Sequence, residues 1–214
     1  MKPTRVYLVR HGETEWNNTG RYQGHSDVML SSKGKLQANL LKKRFDNINL
    51  DCVFTSDLKR ATETASIISK SHGINVETLK DLREINFGAW EGLTYKEITT
   101  RYPKEWDEWR QDPGNVVIPG GESFNQVKER VLNSFNKIIE QEKGRDLLIV
   151  GHGGCLRVLI CSVLGLDLNG VWRFSLDNTG VSIIDCYNED KILVLLNDSH
   201  HLEEIGEPNE SGIL

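Results

Sequence analysis

Apolar residues along the chain follow two different periods. Short continuous runs, Val6 to Val9, Cys52 to Phe54 and Leu147 to Val150, read as strands buried on both faces. Val76 to Leu79 reads as a shorter strand. Val181 to Cys186 and Ile192 to Leu196 read as two strands joined by the turn Asn188-Glu189-Asp190. Between these runs, apolar positions recur at spacings of three and four. Leu36/Leu40 and Leu41/Phe45 predict a helix with a wide buried face, capped by Ser31 or Ser32. Leu58, Ala61, Ala65 and Ile68 predict a second, capped by Ser56 or Asp57. Phe124, Val127, Val131, Phe135 and Ile138 mark a third, opened by a capping box from Ser123 to Gln126. Cys155 to Leu164 is apolar nearly all round and stops at Gly165. This alternation predicts one α/β domain over residues 1–214. Its expected form is three layers, a mainly parallel sheet with helices on both faces and an antiparallel edge strand.

Two stretches break the pattern. Glu13 to Ser31 is a polar loop of 19 residues, long enough to expect function or short turns of its own. Gly88 to Pro119 is irregular and aromatic, with Trp90, Tyr95, Tyr102, Trp106 and Trp109, and predicts an inserted, mostly helical flap.

Composition narrows the function classes. Hydrophobic residues are 38% and charged residues 27% of 214, enough for a substantial core and against wholesale disorder. The net charge of −5 argues against a nucleic-acid partner, which would call for a basic stripe. Cys52, Cys155, Cys161 and Cys186 are scattered with no CxxC pair, and three lie in apolar runs. They read as reduced thiols, not as a disulfide framework or a zinc site. No signal-peptide pattern opens the chain and no apolar run reaches about 18 residues, so a cytoplasmic location and no membrane partner are expected.

The chemistry-bearing residues gather at strand ends. The first strand stops at Arg10-His11-Gly12, where Gly12 allows a sharp turn and close approach to a ligand, and Asn17 follows within reach. Arg60 lies in the helix start after the second strand, and His152 follows the Leu147 strand just before another helix. In a doubly wound sheet, such carboxyl ends share one crevice. Two guanidiniums, two imidazoles and helix N–H groups suit a phosphate dianion. A zinc site from the two histidines is the rival. Arg10 would repel the cation, and no carboxylate or thiol lies at ligand spacing.

These elements carry a resemblance. LVRHGET at Leu8 to Thr14, Asn17, TSDLKRATETA at Thr55 to Ala65, LREINFGAWEG at Leu82 to Gly92, GGES at Gly120 to Ser123 and IVGHGG at Ile149 to Gly154 match in order. The chain resembles the histidine phosphatase superfamily, the phosphoglycerate mutase-like fold family. The resemblance implies that His11 takes up a phosphoryl group and that Arg10, Arg60 and His152 spread the transition-state charge. It also implies that Asn17, Gln23, Gly24 and the Gly153 N–H bind substrate. It places the acid for the leaving alkoxide at Glu84, with Asp81 as the competing carboxyl. Physics agrees with a histidine nucleophile: a neutral imidazole attacks without first losing a proton, and neighbouring cations keep it neutral. A phosphate dianion would press a facing carboxyl toward its protonated form.

The expectation is a metal-independent phosphomonoesterase, with no cofactor and a small phosphorylated metabolite as partner. A homodimer is compatible with the sequence. FGAWEGLTY and PGGES resemble the phosphatase branch, as in α-ribazole phosphatases and broad-specificity phosphatases. Phosphoserine phosphatases are the alternative, although Phe87 stands where that group has a His. A non-catalytic phospholigand-binding module would usually have lost the nucleophile or the acid. A phosphoglycerate mutase would need extra cations at the site mouth. Ile85 to Gly120 offers Lys96, Arg101, Lys104 and Arg110 against six acidic residues. The flap aromatics suggest contact with a ring-bearing leaving group, or simply glue for the flap.

Overall fold

The computed structural model describes residues 2–188 and 190–205. Its elements are, in order, β1 (Thr4–Arg10), α1 (Glu15–Asn18), α2 (Ser32–Phe45), β2 (Cys52–Thr55), α3 (Lys59–Ser69), β3 (Val76–Thr78), α4 (Tyr95–Arg101), α5 (Pro103–Gln111), α6 (Phe124–Gln141), β4 (Asp146–Gly151), α7 (Gly153–Val163), β5 (Val181–Cys186) and β6 (Lys191–Asp198). The strands form one sheet in the order β3-β2-β4-β1-β5-β6. β3, β2, β4 and β1 run parallel, while β5 pairs antiparallel to both β1 and β6. Of the expected turn 188–190, Glu189 lies outside the described residues.

Alternation along the strands divides the core. Tyr7 and Val9 of β1 face α2 and α3, packing with Leu41, Phe45, Ala61, Ala65 and Ile68. Val6 and Leu8 point the other way, into a larger core with Val127, Val131, Leu156 and Leu159 of α6 and α7. The sheet is therefore the middle of three layers, as expected. Ser31 caps α2 by accepting from the Gly34 N–H, and Ser123 and Gln126 close the capping box on α6.

The structure corrects three local expectations. Leu36 is 47% exposed, because the inward face of α2 is set by Gly34, Gln37, Ala38, Leu41 and Phe45. The N-cap of α3 is Leu58, without a side-chain bond; Ser56 accepts from the Leu58 N–H, and Asp57 is drawn away into a bidentate pair with Arg83. The three flap tryptophans are spent on packing, while Tyr95 stays 53% exposed. Trp90 and Trp109 are fully buried, Trp106 nearly so, and they join Tyr22, Phe87, Phe124 and Trp172 in edge-on and tilted contacts 4.9–6.4 Å between centroids. That leaves these rings no face for a leaving group. Among the described residues, no helix is long and apolar enough to cross a membrane.

Candidate active site

Three neighbouring strands deliver the site. The register sets Arg10 beside Gly151 and Thr55 beside Val150, so the carboxyl ends of β1, β4 and β2 stand side by side. The residues just beyond those ends, His11, His152 and Arg60, must converge. His11 and His152 lie with ring centroids 5.1 Å apart, nearly edge to face. The Arg60 Nε donates to His152 Nδ1 at 3.2 Å.

The chain is pinned tightly around His11. Its N–H donates to Gly151 O, its carbonyl accepts from Asn178 Nδ2, and the Gly12 N–H donates to Thr64 Oγ1. A Cβ at Gly12 would stand 2.5 Å from the Gly34 carbonyl oxygen, so only glycine lets the strand end pass the first turn of α2. The Thr179 N–H holds Arg10 O, and Thr179 does so at φ +59°, a costly backbone for a β-branched residue.

Partners fix the two tautomers. His11 Nδ1 lies 2.7 Å from Gly12 O; a carbonyl only accepts, so Nδ1 carries the proton and Nε2 keeps a lone pair. His152 Nδ1 accepts from a guanidinium, so its proton sits on Nε2. That Nε2 is buried with no protein partner, as are Arg10 Nε and Gln23 Oε1. A buried polar atom left unpaired costs about 1–3 kcal/mol, so the unpaired donors of His152 and Arg10, both close to His11, suit a bound anion. Burial pushes both imidazoles well below the ordinary histidine value, and Arg60 adds to it in each case. Burial also lowers Arg60 to about 10, which leaves it cationic at neutral pH.

Glu84 is buried beside the α7 N-terminus. Its oxygens accept from the N–H groups of Gly154, Cys155 and Ile85 at 2.8–3.0 Å. Two α7 N–H groups that a bound anion would otherwise share are thus committed to Glu84. Asn17 spends its Oδ1 on the α1 capping box with Thr14, leaving its NH2 end as the donor. The Gly24 carbonyl accepts from Arg60 Nη2, so Gly24 acts through its turn at φ +54°. Gly153 packs its Cα face against the Arg10 guanidinium. Arg10, His11, Arg60, Glu84, His152 and Gly153 are therefore brought together at the carboxyl ends of the strands, and Gly24 is tied to them through Arg60, while among the described residues no hydrogen bond ties Asn17 or Gln23 to them.

Sequence reasoning missed several supports. Glu91 accepts from His25 N, Ser26 N and Ser26 Oγ, and so shapes the loop that Arg60 grips through Ser26 O and Gly24 O. Arg157, buried on α7, donates to Phe174 O, and Arg10 Nη1 donates to Leu176 O in the same loop. Arg130 and Asn178 hold main-chain carbonyls. None of these bonds leaves a spacing in the sequence. Among the described residues, no three His, Cys, Asp or Glu side chains are placed to hold a metal ion.

The model of the histidine phosphatase superfamily (branch 1) matches residues 6–199. The chain belongs to the histidine phosphatase superfamily. It is 36% identical over 202 residues to phosphoserine phosphatase 1 of Hydrogenobacter thermophilus, covering 94% of this chain and 95% of that one. It is 30% identical over 193 residues to the adenosylcobalamin/alpha-ribazole phosphatase of Escherichia coli, covering 90% and 95%. Among solved structures, Bacillus stearothermophilus YhfR superposes with a TM-score of 0.88 at 34% identity, over 93% of this chain and 99% of that one. As a member of this superfamily with phosphatases among its relatives, the protein is a phosphomonoester hydrolase.

Proposed function

We propose that the protein hydrolyses small-metabolite phosphate monoesters through a phosphohistidine formed on His11, without a metal. The observation that carries this is the opposed pair of tautomers: a lone pair on His11 Nε2 and an unpartnered N–H on His152, 5.1 Å apart between ring centroids. One is a nucleophile and the other a donor for a phosphoryl oxygen. His11 Nε2 attacks phosphorus as the ester oxygen leaves. That oxygen takes a proton from Glu84, whose two carboxyl oxygens have about four lone-pair sites, three of them filled by backbone N–H groups. Water then attacks the phosphohistidine, giving its proton to the Glu84 carboxylate, and inorganic phosphate departs. Arg10, Arg60 and His152 offset the charge that builds on the phosphoryl oxygens. The Asn17 NH2 group, the Gln23 amide and the Gly153 N–H add hydrogen bonds to the bound monoester.

The substrate class is a small phosphorylated metabolite. Burial of Trp90, Trp106 and Trp109 takes these three rings out of contact with a leaving group, and leaves Tyr95 and Tyr102 as the flap rings open to one. α-Ribazole 5′-phosphate and phosphoserine are the monoesters to compare first, with 3-phosphoglycerate as the mutase control. Inorganic phosphate release should exceed isomerisation of 3-phosphoglycerate, and acid quenching should trap an acid-labile phosphoenzyme that His11→Ala abolishes. A phosphoenzyme that survives in His11→Ala, or dominant mutase activity, sinks the proposal.

A further inference from the structure

Glu84 is held differently from the other site residues. Arg10, His11, Arg60 and His152 stand at a strand end, in a helix first turn or at a helix cap. Glu84 stands on an irregular stretch, 83–87, between 3-10 turns at Lys80–Leu82 and Gly88–Trp90. No ladder or helical turn fixes its main chain, so side chains from elsewhere must. One does most of this. Arg130 of α6 donates through Nη1 to Asp81 O at 2.7 Å and Arg83 O at 2.8 Å, and through Nη2 to Glu84 O at 2.9 Å. Its Nε and Nη2 donate to the two oxygens of Glu122, each at 2.9 Å. These five bonds use all five guanidinium N–H groups. Glu122 also reaches round the far side, accepting from Asn86 N and donating its own N–H to Asn86 O. The second lone pair of Glu84 O takes His25 Nε2 at 3.0 Å.

We propose that Arg130, paired with Glu122, is a positioning residue for the acid: it fixes the backbone of 81–86 and so aims the Glu84 carboxyl at the leaving oxygen. With every donor spent on protein, Arg130 itself touches neither phosphate nor alcohol. The inference rests on the assignment of Glu84 as the acid. Lysine keeps the charge and can pair with Glu122, but it lacks the planar fork that reaches three carbonyls. Arg130→Lys therefore loosens the aim without removing the ion pair.

The test is kcat/KM for ethyl phosphate and p-nitrophenyl phosphate, measured on the full chain as wild type, Arg130→Lys, Glu122→Gln, Glu84→Gln and Arg130→Lys/Glu84→Gln. This ratio reports steps up to phosphohistidine formation, where an alkoxide needs the acid and a nitrophenolate hardly does. Arg130→Lys should lose about tenfold or more on ethyl phosphate and less than about threefold on p-nitrophenyl phosphate, since a small misplacement of a reacting group is costly. Glu122→Gln should show the same bias, and reads the same contact if Arg130→Lys does not fold. In the Glu84→Gln background, Arg130→Lys should cost nothing further. Equal losses on both esters, or a full loss that persists without Glu84, overturns the inference. If Glu84→Gln itself shows no leaving-group bias, the acid assignment falls first.

Discussion

The two buried imidazoles make stability depend on pH in a way that can be worked out in advance. Burial, then Arg60, holds both His11 and His152 well below the ordinary histidine value in the folded protein. In the unfolded chain each returns to about 6.5. Below that value the unfolded chain binds protons that the folded one refuses, so stability falls as pH falls. From about pH 6 to about pH 5 the pair should remove about 2 kcal/mol, each group contributing on the order of 1 kcal/mol per pH unit. His201, lowered mainly by burial to about 4, adds in the same direction. A comparison of wild type with His11→Asn/His152→Asn cancels that term. The assay is urea unfolding in phosphate-free buffer, because a bound anion would stabilise the folded state by itself. The double variant should be shallower by about 2 kcal/mol per pH unit. A double variant as steep as wild type, or a flat wild type, would mean that the imidazoles are protonated when folded and that His11 is not ready to attack.

Trp109→Ala should cost about 3–5 kcal/mol in chemical unfolding yet leave the ratio of kcat/KM between α-ribazole 5′-phosphate and phosphoserine unchanged; a shifted ratio would return the aromatics to the substrate. Glu91→Ala should raise KM for p-nitrophenyl phosphate by about tenfold, the scale of one lost hydrogen bond, because the loop at His25 and Ser26 loses its acceptor; an unchanged KM would show that Arg60 holds the loop alone. EDTA should leave turnover intact and vanadate should inhibit, as its five-coordinate geometry matches the cationic crevice. Loss in EDTA with rescue by one divalent ion would revive the zinc reading.

The strands and long helices are legible in the sequence because short continuous apolar runs mark strands buried on both faces, and apolar spacings of three and four mark most of the helices. The crevice is legible because Arg10, His11, Arg60 and His152 each follow the end of a buried run, and in a parallel sheet those ends align. Other features have no such signal. Leu36 reads as inward because spacing does not say which of two overlapping faces a helix buries. Trp109 is ambiguous because a ring stacked on rings and a ring awaiting a ligand look alike in sequence. Arg130, Glu91 and Asn178 act on backbone groups, which every residue possesses, so no pattern of residue types reveals their partners.

The chain order of β1 and β5 has a consequence for biosynthesis. β1 leaves the ribosome well before β5, so its flank against β5 stays open until that later segment has followed. The Arg5–Asp185 pair spans 180 positions, and the Arg10 and His11 contacts to Leu176 and Asn178 span 166 and 167. A nascent chain carrying every residue of the phosphate crevice up to Gly153 therefore still lacks the segment that clamps the nucleophile. Truncated translation products should be inactive, and they should expose one unpaired edge of an apolar strand. That edge is what a chaperone would bind and what a neighbouring unfinished chain would pair with.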